Sequence, residues 1–292
     1  VKPMLAVPNK NGNTTDGLSG WLADLKLDGL RCIAAWDGST ITLTNRNEID
    51  ITRQFPDVEV SLTKALTGFG PAVLDGELIA DDNTFTSIAT RGKQQKPTDI
   101  VTSMRRFPAR FVQFDTMVVD GIDVTSLPLH RRREFLFPGV DRVLSSNDAR
   151  LMFEHVKKAG LEGIIAKDPN GRYHYGKRFP GWVKVKAVQT VTCIATGYEP
   201  GKGARAHFGA MFLHLIDGST AVDVGRVGTG FTESEIQWLK TELDSGRPVV
   251  VEIETLNRTA DNKLRFPVYL GVRTDLSVLD ATVKQLDSLP VC

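Results

Sequence analysis

Cysteine is scarce and unpatterned: Cys32, Cys193 and Cys292 are odd in number and far apart. They offer neither a disulfide framework nor metal-ligand spacing, which points to a reducing compartment. The five histidines include no H-x-x-x-H pair, so a structural zinc site is not expected. No apolar run approaches the length that crosses a bilayer, and Val1-Lys2-Pro3 opens no secretory pattern, although the chain starts without Met. A cytoplasmic protein with no membrane partner is the expectation. Excess charge is missing as well. Lys plus Arg number 36 and Asp plus Glu 35, so any nucleic-acid binding has to come from local basic surfaces.

What is present is enough material, 292 residues, for one large domain or two smaller ones. Cys32–Trp36, Asp37-Gly38 and Ile41–Thr44 read as a hairpin. Residues 147 to 158 read as a helix capped by Asn147, with Leu151, Met152, His155 and Val156 on its apolar face and Gly160 beyond it. Ile164–Ala166 and Trp182–Lys186 read as strands. From about Val188 the texture changes to short β-rich runs, Val191–Ala195, Met211–Leu215, Ala221–Val224 and Val249–Ile253, with Gly-bearing turns such as Asp217-Gly218. One helix interrupts them, opened by a Thr232/Glu235 capping box, with Ile236, Leu239 and Leu243 on one face and Gly246 at its end. The pattern predicts an α+β domain of antiparallel sheet and helices over residues 1–188, then a small OB-type barrel over residues 189–292.

Several segments carry residue types suited to nucleotide chemistry. Lys26-Leu27-Asp28-Gly29-Leu30-Arg31 puts a lysine nucleophile beside Asp28, a close-approach glycine and an arginine able to reach phosphate or ribose. Taken alone, it reads as a strand end followed by a charged turn. Leu74-Asp75-Gly76-Glu77 places a carboxylate just after a turn, fit for ribose hydroxyls or a metal, or simply solvated. Phe114 closes a strand and can stack on a base or fill the core. Glu162-Gly163-Ile164-Ile165-Ala166-Lys167 offers a carboxylate of the kind magnesium uses with phosphate oxygens. In Trp182-Val183-Lys184-Val185-Lys186 the strand period puts both lysines on one face, where an anion would relieve their repulsion. Arg265 and Arg273 stand near the C-terminus as possible phosphate ligands. Arg131-Arg132-Arg133 reads as a solvated helix face.

The lysine motif, Thr44-Asn45-Arg46, Asp75-Gly76-Glu77, Phe114-Asp115, Glu162-Gly163, Trp182-x-Lys184-x-Lys186 and the Arg273 segment occur in the order seen in covalent nucleotidyltransferases. The chain most resembles the ATP-dependent DNA ligase family over nearly its whole length. Gly197-Tyr198-Glu199-Pro200-Gly201-Lys202-Gly203 and Gly225-Arg226-Val227-Gly228-Thr229-Gly230-Phe231 are similar to strings in that family's OB domain. The resemblance implies a nucleotidyltransferase fold and three phosphoryl transfers: AMP from ATP to Lys26, then to the 5′-phosphate of a nick in double-stranded DNA, then sealing by the 3′-hydroxyl.

It also implies roles for particular residues. Asp24 reads the adenine amino group, Phe114 and Ile164 pack on the two faces of the base, and Arg46 and Glu77 hold the ribose. Arg31 lies near ribose or nick phosphate, and Asp28 acts in the steps on the nick. Glu162, with Glu77, holds magnesium or manganese. Lys184 and Lys186 contact the α-phosphate, and Lys184 and the metal help keep the Lys26 amine neutral. Arg273 and Asp275 orient pyrophosphate, although Leu276 stands where the family usually has lysine. The domains close for the first step and reopen on DNA about a hinge near Val188. Lys202, Arg205 and His207 suit a phosphate-contacting loop. With no separate N-terminal DNA-binding domain expected, the chain resembles the minimal ligases of phages and bacteria, acting as a monomer. A GTP-using RNA capping enzyme, an RNA ligase and a catalytically silent nick-binding protein are the alternatives.

Overall fold

A computed structural model of the chain describes residues 1–201 and 207–291. Two compact units emerge, one of residues 1–154 with 163–186, the other of residues 155–162 with 187 onward. Among the described residues the first unit holds two sheets. One runs in the order Leu5–Pro8 (β1), Arg178–Lys186 (β11), Gly163–Lys167 (β10), Leu22–Leu25 (β2) and Ser145–Ser146 (β9). The other runs Ile41–Asn45 (β4), Leu30–Trp36 (β3), Ala72–Ala80 (β5), Ala109–Val119 (β6) and Ile122–Asp123 (β7), with Asp141–Arg142 (β8) also on β6.

Side-chain parity explains how this second sheet is used. On β3 and β5, Cys32, Ala34, Trp36, Leu74 and Leu78 face one core, which also holds Val58, Leu62 and Leu66 of helix Pro56–Leu66 (α1) and Ile88 of Phe85–Gly92 (α2). The opposite parity, with Ile33, Ile79, Val112 and Phe114, joins Met4, Ala6 and Trp182 in a core against the first sheet. Helices Pro97–Arg106 (α3) and Leu129–Arg132 (α4) complete the layer. The predicted hairpin is present, pairing Trp36 with Ile41.

Helix Ala149–Lys158 (α5) forms within the predicted span, but its cap is Asp148, whose Oδ1 accepts the Leu151 N–H at 3.0 Å. Its buried residues include Ala149, Met152, Phe153 and Val156, while Leu151 is half exposed and His155 is also on the outer side. The buried face is rotated from the predicted one by roughly a quarter turn, about one residue at 3.6 residues per turn.

In the second unit, Gln189–Glu199 (β12), Ala210–Asp217 (β13), Thr220–Val227 (β14), Val249–Thr255 (β15) and Val268–Val272 (β18) form a sheet ordered β14-β13-β12-β15-β18. A meander of three strands, a helix before the fourth, and the fourth returning beside the first is the connectivity of an OB barrel. That helix, Glu233–Asp244 (α6), opens with both hydrogen bonds of the Thr232/Glu235 capping box and buries Ile236, Leu239 and Leu243. Gly246 follows at φ +76°. The hairpin Asn257–Arg258 (β16) and Leu264–Arg265 (β17) lies between β15 and β18. Among the described residues no helix is long and apolar enough to cross a membrane.

Candidate nucleotide-binding site

Lys26–Gly29 is the link that carries the chain from β2 in one sheet to β3 in the other. The link is therefore non-strand, and the Lys26 amide donates to the Gly163 carbonyl at 2.9 Å, fastening it to the start of β10. Gly29 is required by β5 rather than by ligand space: a Cβ there would lie 2.3 Å from the Leu78 carbonyl oxygen. Gly163 is equally constrained. Its φ is +146°, and a Cβ would lie 2.2 Å from the Val185 carbonyl oxygen.

The two sheets enclose a cavity of about 220 Å³ between them. Cross-strand register sets its floor. Asp24, Ile165 and Lys184 stand directly opposite one another on β2, β10 and β11, and Lys167 is opposite Trp182 one pleat away. All five line the cavity, as do Lys26, Arg31, Arg46, Glu77 and Phe114. Ile164, expected on the base, is instead fully buried and paired with Leu25 and Val185, on the other parity. Ile165 lines the cavity instead, because alternate strand residues face opposite sides. Lys186 is exposed at the end of β11, with the same parity as Lys184 and opposite Gly163.

Asp75-Gly76-Glu77 is not a turn but the middle of β5. Asp75 is fully buried, accepts both Nε and Nη2 of Arg31 at 2.6 Å, and takes the Tyr173 hydroxyl at 2.6 Å. Arg31 also donates to the Met4 carbonyl at 3.0 Å and lies 4.7 Å from the centre of the Phe114 ring. Its guanidinium faces the cavity while committed to this network. Burial favours its neutral form, but Asp75 prevails and raises its pKa. Phe114 is likewise mid-strand, 6.0 Å from Trp182 in an edge-to-face pair.

Glu77 is half-buried, and burial pushes its carboxyl up to about 7 against the attraction of Arg31 and Lys26. A carboxylate held so reluctantly is one that a bound cation or hydroxyl donors would stabilise. Magnesium needs only one or two protein carboxylates beside phosphate oxygens. The absence of any three-ligand His, Cys, Asp or Glu group among the described residues is compatible with such use of Glu77. Glu162 immediately precedes β10, and its carbonyl accepts the Ala187 amide at 3.0 Å.

The electrostatics at the inner end of the cavity depend on residues with no role in the motif pattern. Lys167 is 2% exposed, with Nζ 2.6 Å from Asp24 and 3.9 Å from the centre of the Trp182 ring. Burial lowers its pKa to about 8, against the pull of Asp24. Burial would raise the Asp24 pKa, but Lys167 and Arg133 together hold it below the ordinary value. The arginine run is not a solvated face. Arg131 is exposed and pairs with Glu134. Arg132, fully buried, makes a forked pair with Asp115 at 2.8 and 2.7 Å, and the Arg133 side chain pairs with Asp24. Two buried carboxylates, Asp24 and Asp115, need counter-charge, and this run supplies it. Strand parity would have flagged Lys167, two residues after Ile165; no local pattern announces Arg133.

In the second unit Arg273 bonds Asp275 at 2.8 and 2.7 Å and Glu252 at 2.7 Å. The Arg273 hydrogen bonds hold Asp275 down to about 2. Arg265 ends β17 beside the exposed Phe266. His207 lies 3.3 Å from Glu233, whereas Lys202 and Arg205 lie outside the described residues.

A lysine lining a cleft between two largely antiparallel sheets, with an aromatic ring, carboxylates and further lysines beside it, is an arrangement suited to nucleotide chemistry. The family model described as the ATP dependent DNA ligase domain matches residues 3–186, and the chain belongs to the ATP-dependent DNA ligase family. A DNA ligase of Natronomonas pharaonis is 30% identical over 325 residues, covering 99% of this chain and 58% of the relative. One of Haloarcula marismortui is 31% identical, covering 94% and 56%. The chain thus spans about half the length of the curated relatives it matches. Among solved structures, the ligase domain of M. tuberculosis LigD aligns with a TM-score of 0.57 at 24% identity, over 97% of this chain and 98% of that one. A Lig E DNA ligase aligns with a TM-score of 0.58 at 21% identity, over 94% and 99%. These likenesses show the fold.

Proposed function

We propose that this chain seals nicks in double-stranded DNA through a covalent lysine–AMP intermediate. The observation that carries the reading is the cavity that brings Lys26, Asp24, Glu77, Phe114 and Lys184 together from four separate segments of the chain. Residues 1–188 are read as the adenylation domain and residues 189–292 as the DNA-binding OB domain. Lys26 attacks the α-phosphorus of ATP in line and displaces pyrophosphate. Lys184 and Lys186, one pleat apart on β11, draw the phosphate oxygens toward the lysine and stabilise charge that grows as the bond forms. The base lies between Phe114 and Ile165, with its amino edge toward Asp24. Arg46 and Glu77 take the ribose.

Arg31 serves mainly by holding β3 against Asp75 under the Phe114 ring, with ribose or nick phosphate within its reach. Asp28 follows Lys26 in the same link and acts in the steps on the nick. Glu77 and Glu162 would hold magnesium or manganese, which on binding neutralises phosphate charge. Arg273 and Asp275 orient the pyrophosphate during the first step. No second copy is needed for any of these roles, and we read the protein as an intracellular monomer acting on DNA.

Incubation with α-labelled ATP, α-labelled GTP or adenylate-labelled NAD, with magnesium and without nucleic acid, tests the reading. An acid-labile protein label from ATP alone, absent in Lys26→Ala, is expected. Label from GTP would instead indicate RNA capping chemistry, and label surviving in Lys26→Ala would refute the assignment. Sealing of a nicked duplex by the labelled protein completes the test.

A further inference from the structure

The Arg133–Asp24 pair is a peculiar use of a guanidinium. Arg133 comes from the segment just after α4, 109 residues away in sequence, yet its Nη2 alone sits 2.5 Å from both oxygens of the Asp24 carboxylate. Its Nε is buried with no hydrogen-bond partner. A forked geometry, which arginine makes readily with carboxylates and which Arg132 makes with Asp115 a residue earlier, is forgone here. An ionised carboxylate has about four acceptor positions. Nη2, placed between the oxygens, takes the inner one of each. Lys167 takes another, on Oδ2 at 2.6 Å. One acceptor position is left, on Oδ1, on a carboxylate that is nearly inaccessible and lines the cavity.

We infer that Arg133 is a positioning residue for base selection: it fixes the Asp24 carboxylate so that a single acceptor on Oδ1 faces the nucleotide base. The inference rests on the reading that Asp24 meets the edge of a purine. One open acceptor on a carboxylate shielded from solvent accepts one N–H. A 6-amino purine supplies it, a 6-oxo purine sets oxygen against oxygen, and a purine with hydrogen at position 6 leaves the acceptor unsatisfied. Without Arg133 the carboxylate is tethered only by Lys167 and can turn, so its open position is no longer aimed.

The experiment measures equilibrium binding and lysine labelling for ATP, GTP and purine riboside triphosphate, with wild type, Arg133→Met and Arg133→Lys. Wild type is expected to favour ATP over the 6-unsubstituted analogue by roughly ten- to hundredfold, the range for a hydrogen bond to a charged group. In Arg133→Met that preference should shrink at least several-fold, through weaker binding of ATP with the analogue little changed. Arg133→Lys, which can still supply one nitrogen, should recover part of it. Thermal melts separate misfolding from misaiming. If Arg133→Met weakens both nucleotides equally, Arg133 has only a structural role and the inference is overturned. If wild type labels from ATP but does not discriminate against the analogue, the role of Asp24 is wrong and the inference falls with it. If wild type labels from no nucleotide, the adenylation reading itself has failed, a separate result.

Discussion

Replacing Arg132 with methionine should destabilise the first unit by about 3–5 kcal/mol, the cost of breaking a buried ion pair from one side. The structure dictates this range. Arg132 and Asp115 are both fully buried, and the guanidinium donates to Asp115 twice and to the carbonyls of Leu127 and Gly171 at 2.7 and 3.0 Å. Methionine fills much of the volume but leaves a carboxylate whose remaining donor is the Thr116 amide at 2.9 Å, together with two carbonyls that lose a donor. Unpaired buried acceptors are expensive. For a unit of this size, such a loss lowers the melting temperature by roughly 6–20 °C. Calorimetry is the suitable assay, because it can separate the transition of this unit from that of the other. Arg132→Lys, which keeps the charge without the fork, should lose less, and adding Asp115→Asn to Arg132→Met should recover part of the deficit. A cost below about 1 kcal/mol, the range of surface pairs, would refute the reasoning and return the arginine run to a solvated face.

The remaining expectations concern the cavity. Gly163→Ala should abolish lysine labelling and lower the melting temperature, because its backbone angle disfavours a side chain and a Cβ would sit 2.2 Å from the Val185 carbonyl oxygen; a stable, active variant would show that β10 and β11 can part freely. Glu77 gives a pH signature. Its folded pKa, about 7, lies above the unfolded value, so burial of the carboxyl costs nothing at pH 4 and costs progressively more as pH rises from about 4.5 to 7. In the nucleotide-free protein Glu77→Gln should therefore be more stabilising at pH 8 than at pH 5, while weakening nucleotide labelling. Melts showing the same difference at both pH values would contradict the desolvation account.

How much could be read in advance follows the range of the forces involved. The hairpin at Trp36/Ile41, the capping box of α6 and the two-sided pattern of β11 were legible because each depends on residues within a few positions. Order and spacing of the motifs were enough to indicate the family. Asp75-Gly76-Glu77 reads as a turn by local preference, because Asp and Gly usually signal one. The pairing of β5 between β3 and β6 outweighs that local preference, and Gly76 is needed where a Cβ would lie 2.4 Å from the Phe111 ring. Asn147 lost the cap to its neighbour Asp148, a one-residue difference that composition cannot decide.

The sequence by itself determined the hairpin of β3 and β4, the helices α5 and α6, the presence of a nucleophilic lysine followed by aspartate and glycine, and the parity that points Lys184 and Lys186 the same way. Those depend on local periodicity and on which side chains can do the chemistry. Only the tertiary structure decided that Ile165 rather than Ile164 meets the cavity, that Arg31 is bound to Asp75, and that Arg132 and Arg133 are buried against carboxylates from distant strands. These outcomes depend on inter-strand register and on compensation of buried charge. Both couple residues as far as 109 positions apart, and both come into force only when the sheets have packed and water has left.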